Sequence, residues 1–112
     1  MDQRVQAAID FMKTNLHRKI TPIEIAHSIR LSPSRLRELF KGQTGTSLAR
    51  YQRELRLHRA KHLLETTFLS VKEVAASVGL TSVGHFVTDF KKAHRMTPSE
   101  YAARYRKTGP EL

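Results

Sequence analysis

The side chains best suited to chemistry in this chain are its histidines and its many cations. His58 and His62 stand four residues apart, the spacing at which two imidazoles on one helical turn can hold a divalent metal. Arg59 occupies the place where a metalloprotease motif carries its general-base glutamate, so the pair reads as a solvated or phosphate-facing surface. His94 and Arg95 fall near an expected helix end, where the negative end of the helix dipole favours cations. Lys41-Gly42-Gln43-Thr44-Gly45 is a helix exit and not a phosphate-cradling loop, with Gly45 suited to a left-handed C-cap. The chain has no cysteine, which excludes disulfides, thiolate zinc sites and thiol catalysis, and suits a reducing cytosol. These residues predict no enzyme activity, no bound metal and no cofactor.

Charge carries more information than any of these clusters. Lysine and arginine number 20 against 10 acidic residues, a net charge of +10, which points to a polyanionic partner. Nucleic acid is the first candidate and an anionic membrane surface the second. The charge is spread as +4, +3 and +3 over residues 1–45, 46–66 and 67–112, so no single helix carries the polybasic face that a membrane-surface helix needs. No apolar run approaches the roughly 18 residues of a bilayer span. At 112 residues, 39% apolar and 27% charged, the chain suits one compact domain or two very small units.

The elements that must position these cations are helices. Val5, Ala8, Ile9, Met12 and Leu16 recur at three and four, predicting a helix over about residues 2–16. Thr21-Pro22-Ile23-Glu24, Ser70-Val71-Lys72-Glu73 and Thr97-Pro98-Ser99-Glu100 each read as a capping box, and Ser32-Pro33 and Ser47 as simpler caps. Counting starts gives about seven helices. The longest is expected over residues 47–66, with Leu48, Tyr51, Leu55, Ala60, Leu63 and Leu64 on its inner stripe and Arg50, Arg53, Arg56 and Lys61 largely elsewhere.

Self-similarity then organises these helices. Residues 23–31 match residues 72–80, and after one inserted residue, Thr81, residues 32–51 match residues 82–101. Glu24/Glu73, Ala26/Ala75, Ser28/Ser77, Leu31/Leu80, Ser32/Ser82, Phe40/Phe90, Lys41/Lys91 and Tyr51/Tyr101 are identical pairs. Each copy is a short helix, a brief turn with leucine, and a second helix with an apolar residue and then phenylalanine one turn later. That is the mechanics of a helix-turn-helix corner. Ala26 and Ala75 provide the small residue at the crossing, and Gly79 suits a turn residue of positive φ, whereas Arg30 at the matching place does not. Leu31, Leu36 and Phe40 in one copy, and Leu80, Phe86 and Phe90 in the other, plug the core. The opposite face of each second helix is left free to meet DNA.

Nearly the whole chain resembles the DNA-binding domain of AraC/XylS-family transcription regulators. Val74-Ala75, Val78-Gly79-Leu80, Ser82, His85-Phe86, Phe90-Lys91-Lys92 and Thr97-Pro98-Ser99-Glu100-Tyr101 look like the family's C-terminal signature. Ser32, Arg35-Leu36, Leu39-Phe40-Lys41, Gly45, Ser47, Tyr51, Arg56-Leu57, Ala60 and Leu63-Leu64 are similarly placed in the first half. The resemblance implies an all-α fold of seven helices in two helix-turn-helix subdomains, 1–46 and 67–112, bridged by a central helix over 47–66. Both recognition helices would enter adjacent major grooves on one DNA face. Three residues depart from the family pattern: Arg95 stands where a glycine is usual, so its helix must end without a left-handed glycine; Leu48 replaces a common proline; and Gly84 lies inside the second recognition helix.

Carried over by position, the resemblance makes Ser34, Arg37 and Glu38, with Arg35 beside them, the base contacts of the first reader. It makes Val83, Gly84, His85 and Thr88 those of the second. Arginine can pair bidentately with guanine, glutamate can accept from cytosine N4, and valine can meet a thymine methyl, but Gly84 offers no side chain. The first reader is therefore expected to supply most of the discrimination. Lys41, Arg53, Arg56, Lys91 and Lys92 are the candidate phosphate contacts. The function implied is sequence-specific binding of double-stranded DNA in a bacterial transcription regulator, at an asymmetric site whose two elements lie about 10 base pairs apart. The alternatives are a weakly specific architectural DNA binder and a protein-contact module engaging RNA polymerase. Full-length family members commonly add an N-terminal sensing and dimerising domain, so the chain is expected to be either a fragment of such a regulator or a stand-alone one. This segment shows no dimer seam and is expected to be monomeric.

Overall fold

Every helix among the described residues starts at a side chain that accepts a hydrogen bond from its own first turn. Asp2, Thr21, Ser32, Ser47, Ser70, Ser82 and Thr97 accept from the amides of Arg4, Glu24, Arg35, Arg50, Glu73, His85 and Glu100. Each such bond satisfies an amide that the helix itself leaves without a partner. The computed structural model describes residues 1–106, so the last part of the expected second subdomain lies outside the described residues. Among them are seven helices and no strand: α1 Gln3–Thr14, α2 Pro22–Ser28, α3 Pro33–Thr44, α4 Leu48–Thr66, α5 Val71–Ser77, α6 Val83–His94 and α7 Pro98–Tyr105. Two of the three expected capping boxes are complete, with Glu73 and Glu100 accepting from the cap amides of Ser70 and Thr97. At Thr21 only half the box forms, because the Glu24 carboxylate turns to Arg18 at 2.9 Å.

Two compact units make up the chain, the first Met1–Leu55 and the second beginning at Arg56. α4 contributes residues to both, where the sequence reading sets residues 47–66 apart as a linker. In the first unit Val5, Ala8, Ile9 and Met12 of α1, Ile25 and Ala26 of α2, and Leu36 and Phe40 of α3 form a buried cluster with Ile20 and Leu48. Leu16 falls past the end of α1 and is half-buried. Phe40 meets the Tyr51 ring edge-on at 5.2 Å. In the second unit Leu57, Ala60 and Leu64 of α4, Val74 and Ala75 of α5, Phe86 and Phe90 of α6, and Tyr101 and Ala102 of α7 cluster with Val78. Phe86, Phe90 and Tyr101 pack as successive edge-to-face rings.

The two corners close with the same hydrogen bonds. Leu31 N–H donates to the Ala26 carbonyl and Arg30 N–H to that of His27; Leu80 N–H donates to Ala75 and Gly79 N–H to Ala76. This is the Schellman turn, which requires a left-handed residue just past the helix. Gly79 meets that requirement at φ 77°. Arg30 meets it as well, at φ 58°, against the expectation that an arginine would not. A second pair repeats the contrast: Gly45 ends α3 at φ 75°, and Arg95 ends α6 in the same left-handed state at φ 62°, each donating to the carbonyl four residues back. The hydrogen-bond pattern overrides the residue preference, at a cost of about 1 kcal/mol per arginine.

Gly84 lies inside α6, where the helix makes no use of a glycine's conformational freedom. Outside its own helix backbone and chain neighbours, the first atom a Cβ there would meet is the Ser82 hydroxyl at 4.0 Å. Gly84→Ala is therefore expected to raise the unfolding free energy by about 0.5–1 kcal/mol in urea, and Gly45→Ala, forced to φ 75°, to lower it by about 1 kcal/mol. Equal effects of the two changes would contradict this account.

Candidate nucleic-acid interface

Burial of one side of α3 leaves its other side to solvent. Leu36 and Phe40 are fully buried, while Ser34, Arg35, Arg37, Glu38 and Lys41 are all exposed on the first two and a half turns. Arg35 and Glu38 form an exposed i,i+3 pair at 3.4 Å, which holds a cation and an anion side by side on the reader's surface. Arg37 stands beside them, also exposed, with a planar guanidinium suited to paired donation.

α6 presents a quieter surface. Gly84, His85 and Thr88 are exposed and opposite the buried Phe86 and Phe90, but the Thr88 hydroxyl donates to the Gly84 carbonyl at 3.0 Å, so it faces outward as an acceptor. Val83 is partly withdrawn, packing against the second core, which limits how far it can meet a methyl group. Lys91 and Lys92 are exposed in the last turn of α6, and Arg53 is exposed on α4.

Arg56 departs from its expected place off the inner stripe of α4. It is only 8% exposed, and its Nε donates to the Val78 carbonyl at 2.9 Å, so it ties α4 to the corner of the second unit. Burial pushes its pKa down, the cost of desolvating a guanidinium. The signal was available in the spacing, since Arg56, Ala60 and Leu64 fall on one stripe at intervals of four.

Of the histidines, His94 differs from its reading. His58 and His62 are exposed, as a solvated pair would be, and no group of three His, Cys, Asp or Glu able to hold a metal occurs among the described residues. His94 was expected to gain from the dipole of α6, yet its pKa is lowered, first by burial and then by the nearby charges of Lys61 and His58. Its ring lies 4.5 Å from that of Phe90 and 6.3 Å from that of Tyr101, and its Nε2 is buried without a hydrogen-bond partner. Tyr101 in turn donates to Glu65, and Lys61 lies over the Tyr101 ring. No helix of the described residues is long and apolar enough to cross a membrane.

A helix-turn-helix domain family matches residues 25–104, the stretch from the first corner to the last helix. The chain belongs to the AraC-type helix-turn-helix family. It is 36% identical over 104 residues to the arabinose operon regulatory protein of Escherichia coli K12, a match covering 92% of this chain and 36% of that protein. A transcriptional regulator of Chromobacterium violaceum described as AraC-type DNA-binding superposes with a TM-score of 0.87 at 30% identity, covering 96% of each chain. A DNA-binding transcriptional dual regulator of Escherichia coli K-12 does so with a TM-score of 0.83 at 30% identity over 94% of each. The chain spans about a third of the length of the curated relatives it matches.

In this AraC-type domain the two unlike arginines of α4 separate by experiment. Arg56→Ala should lower the unfolding free energy by about 2 kcal/mol, because a buried carbonyl loses its charged donor, whereas the exposed Arg53→Ala should change it by less than about 0.5 kcal/mol. Similar losses for both would contradict the assignment.

His94 makes the second prediction. Its neutral form is favoured in the fold, so its contribution to stability is present above the ordinary pKa of 6.5 and is lost as pH falls through the lower folded value. Lys61 and His58 face it from α4 and Tyr101 from α7, and both cations oppose its protonation. Urea unfolding between pH 7.5 and about 5 should show an acid-side loss that His94→Gln reduces; an unchanged pH profile would refute it.

Proposed function

We propose that this domain binds double-stranded DNA sequence-specifically, with α3 and α6 each laid in a major groove, and that it does so as part of a transcription regulator. The observation that carries the reading is the paired presentation of polar, exposed faces on the second helix of two corners whose opposite faces are fully buried. The net charge of +10 supports it, as does the description of similar chains as DNA-binding regulators.

The two readers divide the work unequally. On α3, Arg35 and Arg37 can donate in pairs to guanine and Glu38 can accept from cytosine N4, with Ser34 near the entering end. On α6, His85 and the acceptor oxygen of Thr88 read fewer base edges, Val83 is half-withdrawn, and Gly84 brings only backbone. Lys41, Arg53, Lys91 and Lys92 fix register on phosphates without reading sequence. One chain with two unlike readers requires no palindrome.

Selection from a random duplex library at about 150 mM salt tests the reading. The expected result is one asymmetric motif of two blocks about a helical turn, roughly 10 base pairs, apart. Arg37→Ala should erase preference within one block while the other persists. With about five to eight phosphate contacts, the log-log salt slope should lie near −5 to −7. Binding without enrichment, or an Arg37→Ala motif identical to that of the unaltered domain, would overturn it.

A further inference from the structure

The two corners share a backbone and differ in what they hang from it. Past α2 the left-handed residue is Arg30, and past α5 it is Gly79, within identical Schellman hydrogen bonds. Glycine is thus compatible with this turn, as its own repeat demonstrates. Arginine there costs backbone strain that glycine would not. Nothing among the described residues repays that cost: the Arg30 side chain is exposed and makes no hydrogen bond, ion pair or ring contact with them. Local electrostatics do not account for it either, because the carbonyl end of α2 favours a cation while the amide end of α3, two residues on, opposes one. Strain retained at an exposed group points to a function outside the fold where the position of the group also supports one.

We propose that Arg30 is a DNA contact of the first reader, a clamp on a backbone phosphate beside the groove that α3 enters. This rests on the DNA-binding reading above. Position supports it: Arg30 lies two residues before Ser32, the cap of α3, and the amino-terminal end of a recognition helix is the end that approaches the bases. An arginine side chain reaching from that turn meets the sugar-phosphate rim before it meets a base edge. Chemistry supports it too, since a guanidinium presents paired donors that match phosphate oxygens and is weakly hydrated. The contrast with Arg95 sharpens the inference. Arg95 is equally left-handed and exposed, and it too lies two residues before a helix cap, Thr97 of α7, but it ends α6 at the far end of that helix, away from the amino-terminal turn that approaches the bases. The clamp therefore belongs to one corner only and adds affinity to the reader that carries more of the sequence information.

The test compares Arg30→Gly, Arg30→Lys and Arg95→Gly with the unaltered domain, by thermal unfolding and by titration onto the duplex recovered from library selection across a salt series. Arg30→Gly should melt higher, having lost its strain, and yet bind about 5- to 10-fold more weakly at 150 mM salt, with the log-log salt slope reduced in magnitude by about 0.9 and the preferred sequence unchanged. Arg30→Lys should recover most of the affinity. Arg95→Gly should also melt higher and bind within about 2-fold of the unaltered domain. Gain of stability with loss of affinity is the signature, because a change that merely damaged the fold would lower both. Failure of the unaltered domain to bind duplex DNA would overturn the reading on which this rests. Normal binding by the unaltered domain with an Arg30→Gly variant of equal affinity and salt slope would overturn the clamp alone. An altered base preference in Arg30→Gly, or an equal loss in Arg95→Gly, would likewise overturn the phosphate clamp.

Discussion

The corner between the two helices of each unit depends on one constraint: the residue at the crossing must be small enough to vanish into the core. Ala26 and Ala75 are both fully buried, and each also accepts, through its carbonyl, the hydrogen bond that turns the chain toward the next helix. A larger side chain there would push the second helix away and break that bond, since a packed interior accommodates added volume poorly. Everything outward follows from this fit. With Leu36 and Phe40 drawn against Ala26, and Phe86 and Phe90 against Ala75, the polar faces of α3 and α6 have only solvent or a ligand to meet. Function in this domain is thus the exposed residue of a packing problem solved twice.

Solved twice, the problem has not been solved with the same residues, and the differences fall where they matter for recognition. The buried positions of the repeats keep their character, Phe40 with Phe90 and Ile25 with Val74, while the exposed ones diverge, Arg35 with His85 and Glu38 with Thr88. Divergence on the outer face leaves α3 and α6 with unlike surface chemistry on the same repeated corner. The interchange of arginine and glycine at the left-handed positions shows that even the backbone tolerates the change when its hydrogen bonds demand the conformation.

Much of this was legible in the residues themselves. Caps reveal helices because a serine or threonine at the right place satisfies a specific amide, and each cap read from the sequence, Thr21, Ser32, Ser47, Ser70 and Thr97, begins a helix, while Asp2 and Ser82 cap helices without having been read as caps. The apolar periods of α1 and the plug residues of the corners are equally direct, each being a local pattern with one packing solution. Arg56 was misread because charge was taken to mean solvent, although its stripe with Ala60 and Leu64 pointed inward. Arg30 and Arg95 could not be placed in the left-handed region by preference, since the demand comes from hydrogen bonds of the turn and not from the residue. His94 depends on neighbours from α4 and α7, which no local window contains. Long-range neighbours are what sequence reading lacks, and the candidate site was legible only because its residues lie on two local helices.

The central claim is that the exposed faces of α3 and α6 are the surface that meets duplex DNA. Titrating the isotope-labelled domain with a duplex carrying its selected motif, and following each backbone amide by NMR, tests it most directly. The account predicts the largest changes at residues 32–38 and 82–88, the caps and first turns of the two readers, with the outward residues of α1 and α7 little affected. Changes concentrated on α1 or α7, with α3 and α6 silent, would contradict it.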